Sequence, residues 1–195
     1  ASYFSRVGIV GAIGEDFPEK HLWIFENRLV DLKGLKKYSG KTFHWSGRYG
    51  ENPNDRETLS VCQNVFADFH PDLPAEYRHP DYVFLANINP DLHLEVLSQV
   101  ENPKLIAGDT MDIWIETKRE SLLKTLKKID LIILNDSESR QITQENNLVK
   151  AARSIISLGP ETVIIKKGEN GAMLSGKKIL FSIPAYPTEK GVDPT

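Results

Sequence analysis

The run Ile129-Asp-Leu-Ile-Ile-Leu134 is a short, nearly continuous apolar segment that stops at Asn135. Such a run suits a parallel β-strand covered on both faces, not an alternating surface strand. Parallel strands need a crossover between them, usually a helix, and this chain offers one after each apolar run. Tyr82-Val-Phe-Leu-Ala-Asn-Ile88 reads as a strand and Pro90–Val100 as the helix behind it. Lys104-Leu-Ile-Ala-Gly108 is another strand, ending at Asp109. Asp112–Lys128 reads as one long amphipathic helix, with Leu122, Leu123 and Leu126 inward and Lys124, Lys127 and Lys128 outward. Leu148–Leu158 is a further helix, closed by Gly159-Pro160. Near the start, Val7–Ile13 reads as a strand and Asp16–Leu29 as a helix capped by Asp16. The β-α-β-α rhythm predicts an α/β fold, a three-layer α/β/α sandwich with right-handed crossovers.

One segment breaks the rhythm. Between about residues 38 and 69, Thr42-Phe-His-Trp-Ser-Gly-Arg-Tyr49 alternates as a half-exposed strand does. Glu57–Phe66 is its expected antiparallel partner across the turn Gly50-Glu-Asn-Pro-Asn54. The segment is expected to stand outside the main sheet as a small β-lid. Phe43, Trp45 and Arg48 are candidates to contact a substrate or the lid of a second copy, and packing of the hairpin explains the aromatics equally well.

Composition excludes several classes of function. The net charge of −3 offers no basic patch for nucleic acid or an anionic membrane surface. The single cysteine, Cys62, forms no internal disulfide and fits a reducing, cytoplasmic setting. No apolar stretch approaches the roughly 20 residues that span a bilayer. The five histidines show no zinc-ligand spacing. Gly8, Gly11 and Gly14 are spaced Gly-x-x-Gly-x-x-Gly, which is not the dinucleotide fingerprint; they are expected to thin the strand for close helix packing.

Two local patterns carry chemistry. Asn135 and Glu138 stand three apart across a strand-to-helix junction, with Asp136 or Ser137 expected as the helix cap. In open α/β sheets the carboxyl ends of the strands form the ligand edge. There Asn135 offers an amide, and the Glu138 carboxylate can hold a hydrated magnesium ion. A plain capping box accounts for the same spacing. Downstream, the strand Thr162-Val-Ile-Ile runs into Lys166-Lys-Gly-Glu-Asn-Gly171, and Ala172-Met-Leu-Ser175 leaves it. Gly168 and Gly171 allow positive φ and close backbone approach to a nucleotide, or simply a hairpin. Asn87, Asn89 and Asp109 end strands on the same edge, where they can meet a substrate hydroxyl or cap a turn.

Asn-x-x-Glu after a strand, then a Lys-x-Gly-x-x-Gly turn, then Val192-Asp-Pro-Thr195, is an order that resembles the ribokinase (PfkB carbohydrate kinase) family. Val7–Asp16 is similar to that family's early strand and helix start, and the resemblance covers nearly the whole chain. It implies a Rossmann-like (ribokinase-like) sandwich with a β-lid. The implied activity is transfer of the γ-phosphoryl of ATP to a hydroxyl of a sugar, nucleoside or similar small molecule.

By the resemblance, Asn135, Glu138, Lys166, Lys167, Gly168, Glu169, Asn170 and Gly171 would border ATP. Glu138 would order Mg2+, while Asp193 and Thr195 would lie in a loop that binds a monovalent cation such as K+. Phe43, Trp45, Asn87 and Asp109 would face the substrate. The family's Asp-x-Asn run is matched only in part after Asp109, with Asp112 replacing the asparagine. The catalytic aspartate of the family's Gly-Ala-Gly-Asp motif is expected after Thr195, and a Gly-Gly substrate-binding segment upstream of Ala1. A homodimer joined through the lid is a further expectation. A non-catalytic regulatory subunit of the same fold remains the other reading.

Overall fold

The computed structural model describes residues 2–26, 28–50 and 56–189. The chain divides into two compact units, Ala1–His79 with Ser98–Glu101, and Pro80–Leu97 with Asn102–Thr195.

In the first unit β1 (Val7–Gly14) pairs in parallel with β2 (Val30–Tyr38). Between them lie a 3-10 turn, Glu19–Leu22, and the single helical turn α1, Trp23–Glu26. The expected helix Asp16–Leu29 therefore does not form. Asp16 caps no helix; its carboxylate accepts from both the backbone N–H and the hydroxyl of Thr42, each at 2.7 Å. Those bonds hold the Asp16 carboxyl below its ordinary range. Trp23 and Ile24 stay exposed, so no apolar stripe repays a longer helix. Two of the early glycines permit close approach, Gly8 to Tyr77 of the 3-10 turn Ala75–Tyr77 and Gly14 to the backbone at Gly40–Thr42. A Cβ on Gly14 would lie 2.4 Å from the Gly40 carbonyl oxygen, and one on Gly8 would lie 2.7 Å from the Tyr77 ring. The Tyr77 hydroxyl donates to the Asp31 carbonyl, and burial pushes the phenol up to about 12.

β3 (His44–Tyr49) and β4 (Arg56–Cys62) form a separate antiparallel two-stranded sheet, with a register shift between Ser46 and Gly47. The aromatic residues around it pack edge to face: Phe43 on Phe66, and Tyr38 on the buried Phe69.

The second unit is a six-stranded sheet ordered β10-β9-β8-β7-β6-β5. Its strands are β5 (Tyr82–Leu85), β6 (Leu105–Asp109), β7 (Leu131–Asn135), β8 (Thr162–Lys166), β9 (Ala172–Gly176) and β10 (Leu180–Ile183). The first four are parallel, and β9 and β10 run antiparallel. The helices between them are α2 (Pro90–Leu97), α3 (Asp112–Thr117), α4 (Arg119–Leu126), α5 (Asp136–Thr143) and α6 (Leu148–Ser157). The single helix expected over Asp112–Lys128 is broken at Lys118, whose φ of −131° leaves the helical region. The break lets α3 pack on α5 while α4 packs on α2.

Because β5 to β8 add in sequence order, right-handed crossovers put every intervening helix on one face. That face is the core: Ile132, Leu134, Val163, Ile165 and Met173 meet Leu122, Leu126, Ile142 and Ile155. The opposite face, bearing Tyr82, Phe84 and Leu105, is only partly covered, so the β7 run is not equally buried on both sides. Among the described residues no helix is long and apolar enough to cross a membrane.

Gly171 closes the turn between β8 and β9 at φ +83°, and a Cβ there would lie 2.0 Å from the Ile183 carbonyl oxygen. Gly171→Ala is expected to destabilise the fold by about 1–3 kcal/mol. Gly11→Ala, whose Cβ would meet only Leu35 Cδ1 at 3.6 Å, should change stability by less than about 1 kcal/mol. Denaturant melts of the two variants check this, and equal loss in both would contradict it.

Candidate functional site

The parallel strands deliver Asp109, Asn135 and Lys166 to their carboxyl ends. Lys166 is the register partner of Asn135, and Asp109 ends the neighbouring β6. Side chains of Asp109, Asn135 and Lys166 share the sheet face opposite the helices, because Asp109 pairs with Ile133 and alternation does the rest.

At the β7–α5 junction the cap is Asn135, as the capping-box reading of the sequence expects, and not Asp136 or Ser137. Its Oδ1 accepts from the Glu138 backbone N–H at 2.7 Å. Its backbone N–H and Nδ2 donate to Oε2 and Oε1 of Glu138, both at 2.8 Å. This reciprocal capping box leaves Glu138 only 8 % exposed. Burial pushes its carboxyl up, and the charges of Asp109 and Asp112 add to that; the Asn135 hydrogen bond and Lys166 oppose it. A buried carboxylate flanked by two others is a place that favours a cation. Among the described residues no three acidic, histidine or cysteine side chains lie close enough to hold a metal together. Each Glu138 oxygen accepts one hydrogen bond from Asn135 and keeps capacity for a further donor, such as a water of a hydrated magnesium ion.

The turn after β8 is a single 3-10 turn, Gly168–Asn170. Gly168 has φ +56°, in the left-handed region. The Lys167 backbone N–H donates to the Gly171 carbonyl at 2.8 Å, which closes the turn, and Lys167 Nζ reaches Ser182 Oγ at 3.3 Å. Glu169 and Asn170 are exposed at its tip. The turn brings Lys166 to Gly171 together at the same strand edge as Asn135 and Glu138.

The other candidates are held more locally. Asn87 accepts from Trp114 Nε1 at 3.0 Å, and its Nδ2 lies 3.0 Å from Met111 Sδ. Asn89 accepts from the Asp91 backbone N–H, a turn role. Asp109 Oδ1 accepts from the Thr110 backbone N–H at 2.8 Å. Counted strictly, the third position of an Asp-x-Asn run here is Met111; Asp112 is the first residue of α3.

Phe43 and Trp45 belong to the first unit. Phe43 lines a cleft of about 510 Å3 with Asp16, Lys41, His44 and Asn64. Trp45 Nε1 donates to Thr58 Oγ1 at 3.3 Å, and Arg48 sits 3.9 Å from Glu57. Asp193 and Thr195 lie outside the described residues. Sequence reasoning missed the grip of Trp114 and Met111 on Asn87, because no local spacing signals a contact between two different crossovers.

The Glu138 carboxyl is expected to titrate above the ordinary glutamate range. Its folded value is raised, so its stabilising contribution is full below the unfolded pKa and is lost as pH rises through the folded one. A carbon-13 titration of the side-chain carboxyl reads this directly. Added Mg2+ should move the midpoint down, and an ordinary midpoint insensitive to Mg2+ would refute the electrostatic picture.

The chain matches the model of the pfkB family carbohydrate kinases over residues 1–195. A cytidine kinase from Thermococcus kodakarensis is 28% identical over 196 residues, covering 98% of this chain and 69% of the relative. An Escherichia coli protein described as a candidate ribokinase II, solved with ATP and Mg2+, superposes with a TM-score of 0.78 at 18% identity. That match covers 97% of this chain and 65% of the other. A Methanocaldococcus jannaschii nucleoside kinase gives a TM-score of 0.73 at 16% identity, covering 97% of this chain and 62% of that one. The chain thus spans less than two thirds of these solved relatives. With a matching family model over its whole length and the same mixed α/β fold, the chain belongs to the pfkB family of carbohydrate kinases.

Proposed function

We propose that this protein phosphorylates a hydroxyl of a sugar or nucleoside at the expense of ATP. The observation that carries the reading is the Asn135–Glu138 pair beside Lys166, one strand away from the glycine turn at Gly168–Gly171. Relatives include a cytidine kinase and a nucleoside kinase, which favours a ribose-bearing acceptor.

Phosphoryl transfer needs positioning and charge neutralisation more than covalent chemistry from the protein. Lys166 and the backbone of the Gly168–Gly171 turn border the nucleotide, and Gly168, which has no side chain to intrude, takes up the positive φ of the turn. Asn135 and Glu138 would hold a magnesium ion through its waters, and that ion would neutralise charge on the phosphates. The capping box fixes both side chains before any ligand arrives, so little reorganisation is left for the reaction. Asp109, at the end of β6, faces the same edge as a substrate or phosphate contact. The hairpin β3–β4 serves as a lid over about residues 38–69, with Phe43 and Trp45 on its acceptor side and a second copy of the chain as its partner. A lid excludes water and so protects ATP from hydrolysis. A cytoplasmic setting fits an ATP-dependent enzyme with a free Cys62.

In the full-length enzyme Glu138→Gln is expected to lower kcat at least about tenfold, ~1.4 kcal/mol, with a smaller change in the acceptor KM. Steady-state kinetics at limiting Mg2+ reads this, and wild-type turnover would reduce Glu138 to a helix cap. Gly168→Val places a β-branched residue at φ +56° and should weaken binding of an ATP analogue or strain the turn by about 1–3 kcal/mol. Calorimetric titration of the variant, with circular dichroism to confirm folding, is the measurement. Unchanged affinity in a folded variant would return the turn to an ordinary hairpin and remove it from the nucleotide site.

A further inference from the structure

Two buried side-chain atoms near the carboxyl ends of β5 and β6 have no hydrogen-bond partner among the described residues: Nδ1 of His93 and Oγ1 of Thr110. Both residues are 3% exposed. Native proteins rarely leave such atoms unpaired, since each then carries its desolvation cost without return.

Topology brings the two residues to the same end of the neighbouring strands β5 and β6. His93 sits in the first half of α2, directly after β5, and the charge of Asp109 acts on its ring. Thr110 follows Asp109, and alternation along β6 turns its side chain away from that of Asp109, toward the helix-covered face where α2 packs.

The chemistry of the ring defines the missing partner. His93 Nε2 lies 2.8 Å from the Ala86 carbonyl oxygen, which can only accept. Nε2 therefore carries the proton, and Nδ1 presents a lone pair that needs a donor. Burial lowers the pKa of the imidazole and keeps it neutral. The Thr110 hydroxyl can donate and accept. Water is the small ligand that offers hydrogens to one atom and completes the other, and buried waters typically serve such otherwise unsatisfied groups.

We propose that His93 and Thr110 hold one buried water molecule, which donates to His93 Nδ1 and hydrogen-bonds Thr110 Oγ1. The water ties the first turns of α2 to the loop between β6 and α3, immediately behind Asp109. His93 and Thr110 are then positioning residues for that loop, independent of which acceptor the enzyme uses.

Nuclear magnetic resonance on the isotope-labelled chain tests this. Long-range proton–nitrogen spectra should show His93 as the Nε2–H tautomer, and a water-selective NOE experiment should show a long-lived water at its ring. Thr110→Val, which keeps the shape and removes the hydroxyl, should lose that cross-peak, and Thr110→Ser should retain it. An Nδ1–H tautomer, or no water cross-peak in the unmodified chain, overturns the proposal whether or not the valine variant folds. A water cross-peak that survives in a folded Thr110→Val variant overturns the role given to Thr110.

Discussion

At the junction of β7 and α5 a strand must hand its backbone to a helix without leaving amides unpaired. A helix start exposes N–H groups that have no partner within the helix. Asn135 and Glu138 satisfy them reciprocally, three hydrogen bonds within one turn of chain. The arrangement also forces a carboxylate to be 8 % exposed beside Asp109 and Asp112. The same pair therefore closes the helix and creates the local demand for positive charge. Its two roles are compatible: each Glu138 oxygen spends one acceptor position on the cap and has capacity left for a water.

The sheet's strand order decides how that pair meets its neighbours. Adding β5 to β8 in sequence order puts the helices on one face and brings Asp109, Asn135 and Lys166 onto the other at one edge. The helix-covered face is close-packed around Leu126, Leu134, Ile155 and Ile165, each fully buried. Such packing resists deformation, so the polar edge rests on a rigid base. A loose core beneath β7 and β8 would let Lys166 and Asn135 slip by more than a hydrogen bond tolerates.

The buried strands of the second unit were legible because unbroken apolar runs such as Ile129–Leu134 and Val163–Ile165 have few other homes in a folded chain. The glycine turn was legible too: Gly168 and Gly171 adopt the positive φ that their identity allows. Val30–Tyr38 was not read as a strand. Its charged residues, Asp31, Lys33, Lys36 and Lys37, leave no period-two pattern, and its burial does not alternate either; parallel pairing with β1 is what makes it a strand. Asp16 was read as a helix cap because its type suits that role, but Thr42, 26 residues away, offers it two donors at once. The break at Lys118 escaped notice because the apolar period runs through it, while α3 and α4 have different packing partners.

The sequence by itself determined the fold class, the strand-to-helix junction at Asn135 and the glycine turn, because these depend on short-range periodicity, backbone freedom and spacing. Only the tertiary structure decided that Glu138 is buried against the charges of Asp109 and Asp112, and that Trp114 and Met111 hold Asn87. It alone leaves His93 Nδ1 and Thr110 Oγ1 enclosed without a partner among the described residues. These outcomes require side chains from separate crossovers to converge at one edge of the sheet. Burial and electrostatic coupling arise from that convergence, and no local pattern encodes them.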